Sequence, residues 1–187
     1  MKKLVAAMAL MCVWHAVWAG GVHKAKSAEV QPLISNWDSG VKGCGLRLIV
    51  VTDIPAALHV LDTSLNIFMK DQKYWGAVKG GYARLEQGGS KGVALTPLGL
   101  ESINFLFGNG NRVNHDSYKD AETPGHRIAG SEPFETANYL LEIVKGVEVM
   151  VAVKLVEEST SRIFRFNPVF EPGDAAVFQR CMGGLAN

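Results

Sequence analysis

The chain has 187 residues (20.2 kDa), with 19 Lys and Arg against 18 Asp and Glu, 20 Gly, 3 Cys and 48% hydrophobic residues. That length fits one globular domain with at most an added arm, and the apolar content excludes a disordered chain. A formal net charge of +1 without any block of like charges excludes a dedicated nucleic-acid binder and a polybasic membrane-surface protein, both of which concentrate Lys and Arg.

The sequence opens on Met1-Lys2-Lys3, continues as an apolar run from Leu4 to Val17 broken only by His15, and reaches Val17-Trp18-Ala19 before Gly20-Gly21. A charged start, an apolar stretch of this length and small residues before a cut describe a secretory signal peptide over residues 1–19, cleaved after Ala19, with Ala28 as the competing site. The run is shorter than the roughly 20 apolar residues that a membrane-spanning helix requires, so no transmembrane segment is expected. Cys12 follows Met11 and has Ala9 three places before it, rather than the small residue and the Leu of a lipid-modified cysteine.

Cleavage removes Lys2, Lys3 and Cys12, and leaves Cys44 and Cys181 in a periplasmic or secreted chain. In an oxidising compartment such an isolated pair is expected to be bridged, two buried unbridged thiols being the alternative. The bridge would close most of the mature chain into one loop, worth on the order of 5 kcal/mol by chain entropy. Neither cysteine lies in a Cys-x-x-Cys pair or beside a basic cluster, which argues against reactive-thiol chemistry.

Residues 20–43 carry few apolar side chains apart from Val30, Leu33, Ile34 and Trp37, and read as an N-terminal arm ahead of a single globular domain over 44–187. The β-branched run Leu46–Val51, closed by Thr52-Asp53-Ile54-Pro55, predicts a strand, and Leu65, Ile67 and Met69 on one face predict a second over Ser64–Met69. A polar turn at Lys70–Lys73 leads into Tyr74–Glu86, where Gly76, Gly80 and Gly81 predict bulges or a close backbone approach. Gln87–Gly92 reads as a turn, and Val93–Thr96 and Ser102–Phe107 as two short strands. From Gly108 to Gly130 no apolar period is sustained, which predicts a long functional or mobile loop.

Ser131 as N-cap and Pro133 in the first turn predict an amphipathic helix over about 132–145, with Phe134, Ala137, Leu140, Leu141 and Val144 inward and Gly146 ending it. Alternation from Val147 to Leu155 predicts a half-buried strand; Glu157–Ser161 turns the chain, and Phe164 and Phe166 mark the return strand before Asn167-Pro168. Asp174 caps a short C-terminal helix through Met182 that turns Val177, Phe178 and Cys181 inward. The expected fold class is α+β: mainly antiparallel β-sheet or β-sandwich, with one amphipathic helix and a short terminal one.

From Pro133 to Leu185 the order of helix, Lys145-Gly146, Val-rich strand, return strand ending Phe164-Arg165-Phe166, and final Ala175-Ala176-Val177-Phe178-Gln179-Arg180-Cys181 resembles the C-terminal part of small exported envelope proteins. The nearest are the invasion-associated locus B family and the accessory proteins of type VI secretion clusters. The resemblance implies an exported β-sandwich in envelope, host-contact or secretion biology, with no catalytic residue to carry over.

No motif supplies a reaction. Gly88-Gly89-Ser90-Lys91-Gly92 matches a nucleophile elbow, but Val93–Pro97 after it cannot start the helix the elbow needs. Ser39-Gly40-Val41-Lys42 lacks the partner motifs of the penicillin-binding fold, and Gly108-Asn109-Gly110 lacks the rest of a dinucleotide loop. His115, Asp116, Glu122 and His126 have metal-binding chemistry, but the spacing of the two histidines lies outside compact ligand motifs. His59 reads as a packed, hydrogen-bonded residue, and Glu157-Glu158 as a solvated turn. Tyr74, Trp75 and Tyr82, close to Lys73, Lys79 and Arg84, form an aromatic and basic stretch suited to a glycan or protein partner; packing of one face into the core is the alternative.

The expected function is therefore an exported, non-enzymatic binding or accessory protein of the bacterial cell envelope, without cofactor or metal. Its partner is a protein or the cell wall, and a secretion-associated role or an immunity protein are specific forms. Candidate contact residues are Asn109, Asn111, Arg112, His115, Asp116 and His126 in the 108–130 segment, with Tyr74, Trp75 and Tyr82. The alternative is a metal-dependent envelope hydrolase that uses the 108–130 segment.

Overall fold

The computed structural model describes residues 21–54, 57–88 and 92–185. The expected signal peptide over residues 1–19 with Cys12, and Gly89-Ser90-Lys91 of the elbow-like match, lie outside the described residues. No helix among the described residues is long and apolar enough to cross a membrane.

In chain order the elements are β1 (Val22–Lys24), β2 (Ser27–Asn36), β3 (Lys42–Ile54), β4 (Ala57–Lys70), β5 (Lys73–Gly88), β6 (Gly92–Leu98), β7 (Leu100–Leu106), β8 (Lys119–Asp120), β9 (His126–Ser131), α1 (Pro133–Val144), β10 (Val149–Leu155), β11 (Arg162–Phe166) and α2 (Asp174–Leu185). They form the predicted α+β fold. One sheet has the order β2-β3-β4-β5-β9-β8, with β6 pairing the second half of β5 beyond β9; the other has the order β1-β11-β10-β7. Every neighbour pair is antiparallel except β1 with β11.

Side-chain alternation decides which residues meet between the sheets. Cys44, Leu46, Leu48 and Val50 of β3, Leu61, Leu65 and Ile67 of β4, and Val78 and Tyr82 of β5 are buried on one face. They share a single core with Ile103 and Phe105 of β7, Val149, Val151 and Val153 of β10, and Phe164 of β11. At Gly80 the sheets approach closely: a Cβ there would lie 2.5 Å from the Cδ1 of Ile103. The glycines of β5 thus serve close approach rather than bulges, since its ladders to β4 and β9 run without a register shift.

Two segments depart from expectation. The stretch read as an arm is strand: β2 pairs with β3 from Ser27↔Val51 to Asn36↔Lys42, with Val30 fully buried, and β1 adds to β11. Its polar composition and Pro32 suit an edge strand, where one side faces water and a missing N–H is tolerated. The 108–130 segment is not an open loop. It begins with a tight turn, in which the Asn111 carbonyl accepts from Phe107 N–H, and buries Val113. It then supplies β8 and β9 to cover the half of β5 that β6 leaves bare. Pairing along another strand's free edge leaves no periodic apolar signal, because the inward side chains of β9 include Ala129 and Ser131.

α1 keeps its predicted span but not its predicted cap; of its predicted inward face Leu140 is buried and Ala137 and Val144 pack against the core, while Phe134 and Leu141 do not. Glu132 is the N-cap, its carboxylate accepting from Glu135 N–H at 2.6 Å, while Ser131 ends β9 and pairs through its hydroxyl with Thr136 Oγ1 at 2.8 Å. Thr136, Tyr139, Leu140 and Ile143 point inward, whereas Phe134 is 72% exposed and Leu141 is exposed. Tyr139 tolerates burial because its hydroxyl donates to Leu106 O and accepts from Met150 N–H. Gly146 adopts φ +79 after the helix, as expected of a terminating glycine. At the C-terminus, α2 lies on β2 and β3, buries Phe178 and Leu185, and carries Cys181 onto Cys44, with 5.8 Å between their Cα atoms.

Candidate functional site

The outward face of the larger sheet is built over glycines. A Cβ on Gly43 would strike the Phe68 ring, one on Gly45 the Asn66 amide, and one on Gly81 the His126 imidazole. Each glycine lets a neighbouring side chain lie flat across the sheet. Phe68 stacks against Trp37 at 5.4 Å and against Trp75 at 5.9 Å, so three rings from β4, the β2–β3 turn and β5 form one row at this end. Trp37 is 50% and Trp75 40% exposed. Beyond the row, Arg47 clasps Asp62 through two hydrogen bonds of 2.8 and 2.7 Å, and His126 Nε2 stands 3.6 Å from the same carboxylate. The Arg47 guanidinium holds the Asp62 carboxyl below its ordinary pKa. Asn66 donates to Ser64, and Lys79 to Thr123.

A second concavity lies at the opposite end, between the sheets. It has a volume of about 1280 Å³, with Ile54, Leu98 and Leu155 among its apolar walls and Arg84, Glu86, Glu158 and Arg162 among its polar ones. His59 lines it, 7% exposed, stacked 5.4 Å from the Tyr82 ring; its Nδ1 is buried without a hydrogen-bond partner among the described residues. Arg162 donates to the Tyr82 hydroxyl at 3.1 Å and is clasped by Glu158.

Burial, followed by the charges of Arg162 and Arg84, lowers the pKa of His59; burial and Arg162 do the same to His23. Above the ordinary value of 6.5 both rings are neutral in folded and unfolded chains, so they give stability no slope there. As pH falls below 6.5 the unfolded chain takes up protons that the fold resists, and stability declines until the folded values are passed. The urea midpoint is therefore expected to fall between about pH 7.5 and about pH 5.5, and His59→Phe, which keeps a ring against Tyr82, to remove part of that fall. A His59→Phe curve parallel to wild type across this window would mean that His59 titrates unperturbed.

The residues singled out from sequence are dispersed. Trp75 belongs to the aromatic row, and Asp116 shares a shallow groove with it; His126 lies farther along the same face. Tyr82 is buried between the sheets, so its place in a surface stretch with Trp75 is corrected: the two differ by an odd number of positions and face opposite sides of β5. Tyr74 lies on the opposite side of β5 from Trp75 but at its exposed start, 47% accessible, and donates to Leu185 O at 2.8 Å beside Phe134 and Met182. Asn109 accepts from Asn111 N–H within the turn, and Arg112 follows it in a bridge to Leu106. His115 shares hydrogen bonds with Asp116 O and Asn104 Oδ1, both at 2.8 Å, and thus faces β7, while His126 faces outward. Among the described residues no three His, Cys, Asp or Glu side chains converge on a point suited to a metal ion.

Sequence reasoning passed over Trp37, Phe68, Arg47 and Asp62, because only the strand register places them on one face. The signal that was present is the pair Gly43 and Gly45 around Cys44, which marks a strand with one bare side. Comparison with protein-family models, with curated proteins and with solved structures finds no match.

Proposed function

We propose that the mature chain is an exported, non-enzymatic binding protein of the bacterial cell envelope, and that its partner is a protein docking on the Trp37–Phe68–Trp75 end of the larger sheet. The aromatic row carries this reading: large rings left half exposed side by side are the chemistry of interface hot spots. The polar side chains of the same face direct their hydrogen bonds to one another, so the apolar rings are what the surface offers most freely. A leader pattern at the N-terminus and the bridged cysteines support export. The C-terminal resemblance to exported envelope proteins points the same way.

The test is affinity capture from envelopes of cells making the tagged full-length chain. A protein is expected to co-purify with wild type whether or not the glycan strands are first digested with a muramidase. Trp37→Ala with Trp75→Ala is expected to cut its recovery about ten-fold or more without altering the melting curve. Recovery that survives both substitutions overturns the docking face, and recovery that vanishes with muramidase moves the partner to the cell wall. The identity of the captured protein separates an immunity role from a secretion-associated one.

A further inference from the structure

The open end of the sandwich has features that the aromatic face does not explain. Ile54, Leu98 and Leu155 line it together with His59, whose ring stacks on Tyr82 and is buried with its Nδ1 unpartnered among the described residues. Around the mouth the cations are occupied: Arg162 holds Glu158 and the Tyr82 hydroxyl, and Arg84 holds Glu86. Asp53 and Glu157 line the same space with no counter-ion among the described residues. The described lining thus sets these apolar walls beside four carboxylates and two guanidiniums, with Asp53 and Glu157 the uncompensated pair.

We propose that this cleft is a second binding site, which takes a small amphipathic cation with an alkyl or aryl body and a terminal ammonium. The body lies against Ile54, Leu98 and Leu155, where burial of each methylene is favourable. The ammonium meets the rim at Asp53 and Glu157, where an anion would instead face uncompensated carboxylates. Each guanidinium already has its carboxylate, so binding a fatty acid would require breaking an ion pair first.

Octylammonium, octanol and octanoate titrated into the mature, bridged protein, with the His59 ring signals followed by NMR, test the assignment. Octylammonium is expected to saturate and shift those signals, with an affinity about ten-fold above that of octanoate. Asp53→Asn with Glu157→Gln, both at exposed positions, is expected to erase that preference while leaving octanol unchanged. Octanoate binding as tightly as octylammonium, no saturable shift below about 10 mM, or a preference that persists in the double variant would each overturn the proposal.

Discussion

Reduction of the Cys44–Cys181 bridge is expected to lower the unfolding free energy by about 2–5 kcal/mol. The bridge spans 137 positions, so it removes a large share of the conformations open to the unfolded chain. The upper end of that range is set by chain entropy, and residual structure in the denatured chain brings it down. A local effect adds to the global one. α2 packs on β2 and β3 alone among the sheet strands it contacts extensively, and its last turn includes Gly183 and Gly184, which favour fraying. Reduced protein should therefore lose amide protection in α2 before any other element. Urea curves with and without reductant, repeated on Cys44→Ala with Cys181→Ala, provide the check; coincident curves would show that packing of Phe178 and Leu185 holds α2 without the bond.

Phe164→Ala is expected to cost about 3–5 kcal/mol. Phe164 is fully buried at the centre of β11, opposite Val151, with its ring 5.7 Å from Tyr82 of the other sheet and 5.8 Å from His23 of β1. Its removal opens a void where three strands from two sheets meet, and rigid ladders on both sides limit collapse into it. The control is Phe134→Ala. Phe134 lies on the helix face that periodicity alone turns inward, yet it is 72% exposed, and its loss should change stability by no more than about 0.5 kcal/mol. A Phe134 effect as large as that of Phe164 would return α1 to the orientation read from its pattern.

That contrast shows what the sequence made legible. The hairpin of β10 and β11, the span of α1 and the cysteine pair follow from alternation, from Pro133 and Gly146 at the helix ends, and from an isolated pair of thiols, which are local or compositional signals. The face of α1 follows only in part, because Thr136 and Tyr139 are buried through hydrogen bonds to Ser131, Glu132 and the ends of β7 and β10, which apolar periodicity ignores. β2 and β9 were hidden for a related reason. Both lie along another strand's free edge, and their stability comes from a neighbour's ladder more than from their own side chains. The aromatic row required register: Phe68 opposite Trp75, with Gly43 beneath the ring, joins positions in β3, β4 and β5 that no spacing in one strand connects. His59 was legible as buried, but its missing partner was not.

The measurement that bears most directly on the docking face is site-specific photo-crosslinking in living cells, with the photoreactive residue placed at Trp75 and, separately, at Gly108. Gly108 sits in the turn after β7, exposed and with open space around its Cα. A discrete protein adduct from position 75 and none from position 108 is the predicted result. An adduct from position 108 alone would place the partner at the turn and contradict the assignment of the aromatic face.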